Sequence, residues 1–228
     1  MFTYSGVKHL IDPFTTMINK RRAPAQSRSK EMVNTILMSA KRLIGQQGYD
    51  AVSMREIARE AGISPAAIYQ YFDDKNAILA ELVSRYYEMT FQMTTALLER
   101  TTGLDDVEQL LRDAVGFIHA YFSQDADLLG VWSAVMASHA INGMDVQHCV
   151  ATAQAITNRL LLVQPGLNRE QVQTSSLLMV RMLTATVHLA LSMRPQEAQS
   201  VLDEFVVVFA SRIRQLAVSP DPYNRAPS

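Results

Sequence analysis

A chain of 228 residues is long enough to bury a sizeable core, and its length allows one or two domains. Apolar residues make up 48% of it, which excludes general disorder, and the single cysteine, Cys149, excludes an internal disulfide or a zinc site built from several cysteines. The formal net charge of −1 is unevenly spread: residues 20–75 hold ten Lys/Arg against six Asp/Glu, whereas 76–228 hold ten against fifteen. A basic head on an acidic body suits a polyanion held at one end only.

Residues 1–28 read as a flexible basic arm, ending in Lys20-Arg21-Arg22 and Arg28. Such an arm can lie along phosphates or enter a minor groove. A first helix is expected from Ser29, with Val33, Ile36, Leu37, Ala40, Leu43 and Ile44 forming an apolar stripe at helical spacing. It should close a small core over Ile57, Ala58, Ile68 and Phe72.

The segment 51–75, AVSMREIAREAGISPAAIYQYFDDK, is the most informative in the chain. Ser53 and Glu56 have the spacing of a capping box, in which each side chain reaches the other's orphan backbone N–H. Val52 and Ile57 sit where a hydrophobic staple fixes the entry of the chain. Gly62 follows the last periodic residue, where a left-handed residue ends a helix. Ser64 then caps a second helix, Pro65 takes its first position, and Ile63 with Ile68 repeats the staple. Two helices this short with so tight a connection must pack at a steep angle, as in a helix-turn-helix. Residues 29–75 therefore read as a helix-turn-helix DNA-binding domain. Arg28, Ser53, Tyr69, Tyr71 and Lys75 are candidates for phosphate contacts. Arg55, Ser64 and Gln70 are candidates for base edges, and Ala66 and Ala67 for thymine methyls. Direct base readout of this kind is thin, which leaves part of the specificity to DNA shape.

The pattern Gly48-Tyr49, Val52-Ser53-Met54-Arg55-Glu56-Ile57-Ala58, Ala61-Gly62-Ile63-Ser64, Ile68-Tyr69-Gln70-Tyr71-Phe72 and Lys75 resembles the TetR family of bacterial transcriptional regulators over about residues 29–82. Members often carry a basic residue or glycine at the place of Ala66 and a histidine at that of Tyr71. The resemblance implies an all-α protein in which a ligand-binding, dimerising domain follows the DNA-binding one. It further implies that an inducer wedges this domain, changes the spacing of two reading heads and lowers operator affinity.

Beyond Lys75 the periodicity is helical throughout, with helices expected at about 75–100, 105–122, 125–141, 145–163, 168–192 and 195–218 and a tail at 219–228. The breaks fall at Thr102-Gly103, Ser123-Gln124, Asn142-Gly143, Pro165-Gly166 and Arg194-Pro195, with Asp105, Asp125 and Asn168 as N-caps. The last two helices are apolar around more of their circumference than a surface helix needs, so a second copy should cover them. This predicts a two-fold homodimer with Met182, Val201, Phe205, Val208 and Phe209 at the interface. Two reading heads would then select a palindromic site with half-sites about 34 Å apart.

The chain has twelve methionines, many for its length, and those within residues 76–218 suit an adaptable apolar cavity. Met89, Met93, Phe117, Phe122, Trp132, Met136, Met144, Met179 and Met182 are its candidate lining, with His119 and His139 as polar anchors for an apolar small molecule. Nothing has the pattern of a nucleophile elbow, a phosphate loop or a paired-histidine metal motif, so neither an enzyme nor a metal or other cofactor is expected. His139, Asp145 and His148 lack a ligand spacing. Lys8 and Asp12 argue against a signal peptide, and the apolar run 177–191 is short for a bilayer, so the expected place is the cytoplasm and no membrane partner is expected. The combined reading is a ligand-responsive regulator, most simply a repressor, and the alternative is a non-specific or architectural DNA-binding protein.

Overall fold

The computed structural model describes residues 24–218, which form an all-α fold with no strand among them. The helices are α1 (Pro24–Gln47), α2 (Met54–Glu60), α3 (Pro65–Ile68), α4 (Lys75–Arg100), α5 (Val107–Ser123), α6 (Asp127–Ala137), α7 (His139–Val163), α8 (Arg169–Leu191) and α9 (Pro195–Val218), with one 3-10 turn at Leu104–Asp106. The expected arm up to residue 23 and the tail at 219–228 lie outside the described residues. Arg28, placed at the end of that arm, instead lies exposed on α1, which begins before Ser29 with Pro24 in its first position.

The described residues fall into two compact units, 24–89 with 121–145, and 90–120 with 146–218. In the first, Ile36, Leu37, Ala40 and Ile44 of α1 are buried with Ile57, Ala58, Ile68 and Phe72, as the stripe predicts, and Ile78 and Leu79 of α4 join them. Val33 is only half-buried. Full burial of one such isoleucine contributes about 1.5–3 kcal/mol, which is why helices as short as α2 and α3 persist here and would not alone. On the other side α1 packs against α6, and the approach is backbone to backbone. A Cβ added at Gly45 would stand 2.5 Å from Asp127 Cα, and one at Gly130 would stand 2.7 Å from Gly45 Cα.

In the second unit α8 packs along α9, with Val172, Met179, Val187 and Ala190 buried beside Leu202, Phe205, Val206, Phe209 and Ile213. Arg112 bridges Glu108 at 3.0 Å and Asp203 at 2.8 Å, tying α5 to α9. At 23 residues α8 is longer than its apolar run suggests, and it is long and apolar enough to cross a membrane by length and composition.

Two expectations about breaks are corrected. Asn142-Gly143 does not interrupt the chain: α7 runs through it, and the bend falls at Ser138, whose backbone is extended. A helical glycine costs about 1 kcal/mol relative to alanine, and nearby packing offsets that cost through buried Ile141 and the hydrogen bond that Tyr87 donates to Asp145 at 2.9 Å. Asp105 does not cap the 3-10 turn; Asp106 does, its carboxylate accepting from the N–H groups of Thr102 at 2.6 Å and Gly103 at 3.2 Å. Those hydrogen bonds hold its carboxyl below the usual aspartate range. Asn168 caps α8 as expected, accepting from Gln171 N–H at 3.1 Å.

Candidate functional site

The turn between α2 and α3 forms from its own sequence. The Ser53 N–H donates to Glu56 Oε2 at 2.8 Å and the Glu56 N–H to Ser53 Oγ at 3.3 Å, closing the capping box. The Ser53 hydroxyl, and after it the Ser53 N–H, donate to the Glu56 carboxylate and hold that carboxyl below its ordinary range. Gly62 has φ +71, and the Gly62 and Ile63 N–H groups donate to Arg59 O at 3.2 Å and Ala58 O at 3.0 Å. That pair of bonds is a Schellman ending, which satisfies two carbonyls that the helix leaves orphaned. Ser64 then accepts from Ala67 N–H at 3.1 Å, and Pro65 opens α3.

With Ile57, Ala58, Ile68 and Phe72 turned inward, Ser53, Arg55, Ser64, Ala66, Tyr69 and Gln70 are exposed. Ala67 and Tyr71 are partly so. Tyr69 is 56% exposed, so its ring is not part of the core. The structure thus gathers most of the expected contact residues on solvent-facing parts of α2, α3 and the turn that follows. The exposed Arg59 on α2 adds a cation that the sequence reading passed over. The Ser53 hydroxyl is engaged in the capping box, donating to Glu56 Oε2 at 2.7 Å.

Lys75 departs from expectation. Its ammonium turns back to the loop between α1 and α2, donating to the carbonyls of Tyr49 and, at 2.6 Å, Val52. It also stands 4.1 Å from the centre of the Tyr49 ring, a cation–π distance. The Tyr49 hydroxyl in turn donates to Asn76 at 2.7 Å, and burial, followed by the charges of Asp74 and Asp50, pushes that phenol above its usual range. Lys75 is therefore a strut that fixes the entry to α2 against the start of α4.

A pocket in the same unit is lined by Lys41 of α1, Leu82, Val83 and Tyr86 of α4, Tyr121 and Phe122 of α5, and Leu128, Val131, Trp132 and Val135 of α6. Its aromatic wall is one cluster: the Tyr86 ring centre lies 5.3 Å from that of Trp132, 5.4 Å from that of Tyr121 and 5.7 Å from that of Phe122. Lys41 is paired with Asp125. Of the expected lining, only Trp132 and Phe122 are here. Met89 is buried in the same unit but off the wall, and Met136 is 55% exposed. Met93, Phe117, His119 and Met179 belong to the other unit, where the first two and Met179 are buried as core. Burial lowers the His119 pKa. The His139 side chain lies outside the described residues. Aromatic rings and one lysine, rather than methionines, make this wall; sequence spacing could not reveal Lys41, which looks like any polar residue on a helix.

The residues expected at the interface divide between core and surface. Phe205 and Phe209 are enclosed by their own chain, their ring centres 4.8 Å apart, and Val201 is half-buried. Met182 and Val208 remain exposed, joined by Leu178 and Leu189 on α8 and by Val207 on α9. Residues 178, 182 and 189 recur at helical spacing, so they share one face.

Comparison with known proteins places both parts of the chain. Residues 36–82 match the family model described as bacterial regulatory proteins, tetR family, and residues 106–211 match the tetracyclin repressor-like C-terminal domain. The uncharacterized HTH-type transcriptional regulator YuxN of Bacillus subtilis is 31% identical over 102 residues, covering 45% of this chain and 34% of that protein. The chain spans 34% to 53% of the length of the three Bacillus subtilis relatives it matches. Among solved structures, the fatty acid degradation regulator FadR from Bacillus halodurans superposes with a TM-score of 0.62 at 16% identity, over 85% of this chain and 96% of that one. A transcriptional regulator from Saccharomonospora viridis in complex with choline gives 0.59 at 21% identity, over 79% and 96%. At these identities the structures establish a shared fold.

Proposed function

Since the chain belongs to the TetR family of DNA-binding transcriptional regulators, we propose that it is a cytoplasmic repressor that holds a palindromic operator as a homodimer and releases it when a small molecule enters the aromatic pocket. The observation that carries this reading is the position of α1. It supplies Lys41 to the pocket wall and Ile36, Leu37, Ala40 and Ile44 to the core beneath α2 and α3, and it touches α6 at Gly45 and Gly130 with no side chain between the backbones. A close-packed contact cannot absorb displacement by rotamer change, so a ligand that moves α6 moves α1 and the reading head with it. The ligand shifts operator affinity only by binding one of the two arrangements better than the other.

On the DNA, Arg55 and Gln70 are the base-reading groups, with Ser64, Ala66 and Ala67 beside them, and Tyr69, Tyr71 and Arg28 hold phosphates, while Ser53 is committed to the capping box. Lys75 contributes by fixing the loop rather than by reaching the duplex. The exposed apolar stripe of α8 and α9, including Leu178, Met182 and Val208, supports a homodimer bundle, since a copy of itself covers such a face symmetrically.

The test is recovery of bound genomic fragments followed by anisotropy titration on the fragment found. A regulator gives one palindrome and a preference over random DNA of about 10³ or more. Equal affinity for both would replace this reading with that of a non-specific DNA-binding protein.

A further inference from the structure

The charges at the pocket wall go further than its apolar character and specify the ligand's head group. Lys41 is the single charged residue among those lining it, and its side chain is 8% exposed. Its partner Asp125 is not part of that lining, and its side chain is 31% exposed. The two members of the pair are therefore unequal. Asp125 can rehydrate if displaced, but a buried ammonium must keep an anion or a set of acceptors beside it.

We propose that the pocket, about 20 Å³ as it stands and so widening on binding, takes a small apolar molecule bearing a carboxylate, whose body lies against Tyr86, Tyr121, Phe122 and Trp132 and whose head replaces Asp125 at Lys41. This rests on the reading of the chain as a ligand-responsive regulator and names the chemical class of its ligand. A cation is disfavoured despite the aromatic wall: it would face the Lys41 ammonium at short range in a medium where like charges repel strongly. A neutral molecule would leave the existing pair intact and gain only apolar burial.

The same exchange supplies a route outward. Besides pairing with Lys41, Asp125 accepts the Asp127 N–H at 3.1 Å and so braces the first turn of α6. Asp127 is the residue whose backbone lies against Gly45 of α1. A carboxylate at Lys41 thus changes the constraint on α6 at its point of contact with α1.

The chain has one tryptophan, and it stands in the pocket wall, so its emission reports occupancy. The full-length protein would be titrated with three probes that differ only in the head: 4-phenylbutyrate, 4-phenylbutan-1-ol and 3-phenylpropyltrimethylammonium. The carboxylate is expected to bind about tenfold or more tightly than the alcohol, with the ammonium weakest. Lys41→Met should remove that preference while leaving alcohol affinity within about twofold, and Asp125→Asn should strengthen carboxylate binding about threefold or more. Equal binding of all three probes, a preference for the ammonium, no response to any probe, or unchanged carboxylate affinity in Lys41→Met would each overturn the assignment. Operator anisotropy separates the two layers. A neutral or cationic probe that binds and releases DNA defeats the head-group assignment but leaves the regulator reading standing. A carboxylate that binds as described without altering operator affinity upholds the assignment and defeats the ligand response.

Discussion

The ammonium of Lys75 stands 4.1 Å from the centre of the Tyr49 ring and donates at 2.6 Å to the carbonyl of Val52. One side chain at the start of α4 therefore holds both ends of the loop leading into α2. A charge-assisted hydrogen bond contributes about 1.5–3 kcal/mol and a partly exposed cation–π contact about 0.5–1 kcal/mol, so the strut contributes to stability whether or not DNA is present. Lys75→Ala is expected to lower the urea midpoint by the equivalent of about 1–2 kcal/mol and to leave the slope of log K against log salt unchanged. A slope smaller by about one unit would return Lys75 to the phosphate-binding group.

Gly45→Ala sets two effects against each other. Alanine gains up to about 1 kcal/mol in a helix interior, but its Cβ would stand 2.5 Å from the backbone of Asp127. Overpacking against movable side chains costs about 1–3 kcal/mol, and a helix backbone yields less readily, so the loss should dominate. A net destabilisation of about 2 kcal/mol or more is expected in chemical denaturation. A stabilised variant would show that α1 and α6 are not in direct backbone contact.

Arg55 and Gln70 are exposed and lie outside the buried core of the reading head. Arg55→Ala or Gln70→Ala should leave the melting temperature nearly unchanged, cost about 1–3 kcal/mol at the cognate operator and relax preference at one base pair. Equal weakening on cognate and random DNA would mark the altered residue as a backbone contact.

Met182 and Val208 are 48% and 49% exposed within one chain. Introducing glutamate at both should keep the helical content and convert the proposed dimer to a monomer in sedimentation, because in that dimer the charges would meet their symmetry mates across an apolar face. Operator affinity should fall with the loss of the second reading head. A double variant that sediments as the parent does would place the interface elsewhere.

His188 on α8 has its pKa lowered to about 4 by burial, against an ordinary value of 6.5. The unfolded chain therefore binds this proton at higher pH than the folded one, so stability is lost as pH falls from about 6.5 towards 4. The side chain is only partly buried, and after allowance for solvent screening the loss is about 1–2 kcal/mol. Urea midpoints at pH 7 and pH 5 should differ less for His188→Gln than for the parent. Identical differences would remove His188 from the acid response.

The sequence by itself determined the turn between α2 and α3. The capping box of Ser53 and Glu56, the left-handed Gly62 and the Ser64-Pro65 start depend on atoms a few residues apart, so their chemistry was complete in the local order of residues. The alternation of inward Ile57, Ala58 and Ile68 with outward Arg55 and Ser64 followed from the same helical period. Only the tertiary structure decided where long or flexible side chains go. Lys75 turned to a loop 23 to 26 residues away, Lys41 met Asp125 across 84, and Phe205 and Phe209 chose their own core over the open face. Each of those choices depends on which helix arrives opposite, and helical periodicity records which residues share a face but not what that face will meet.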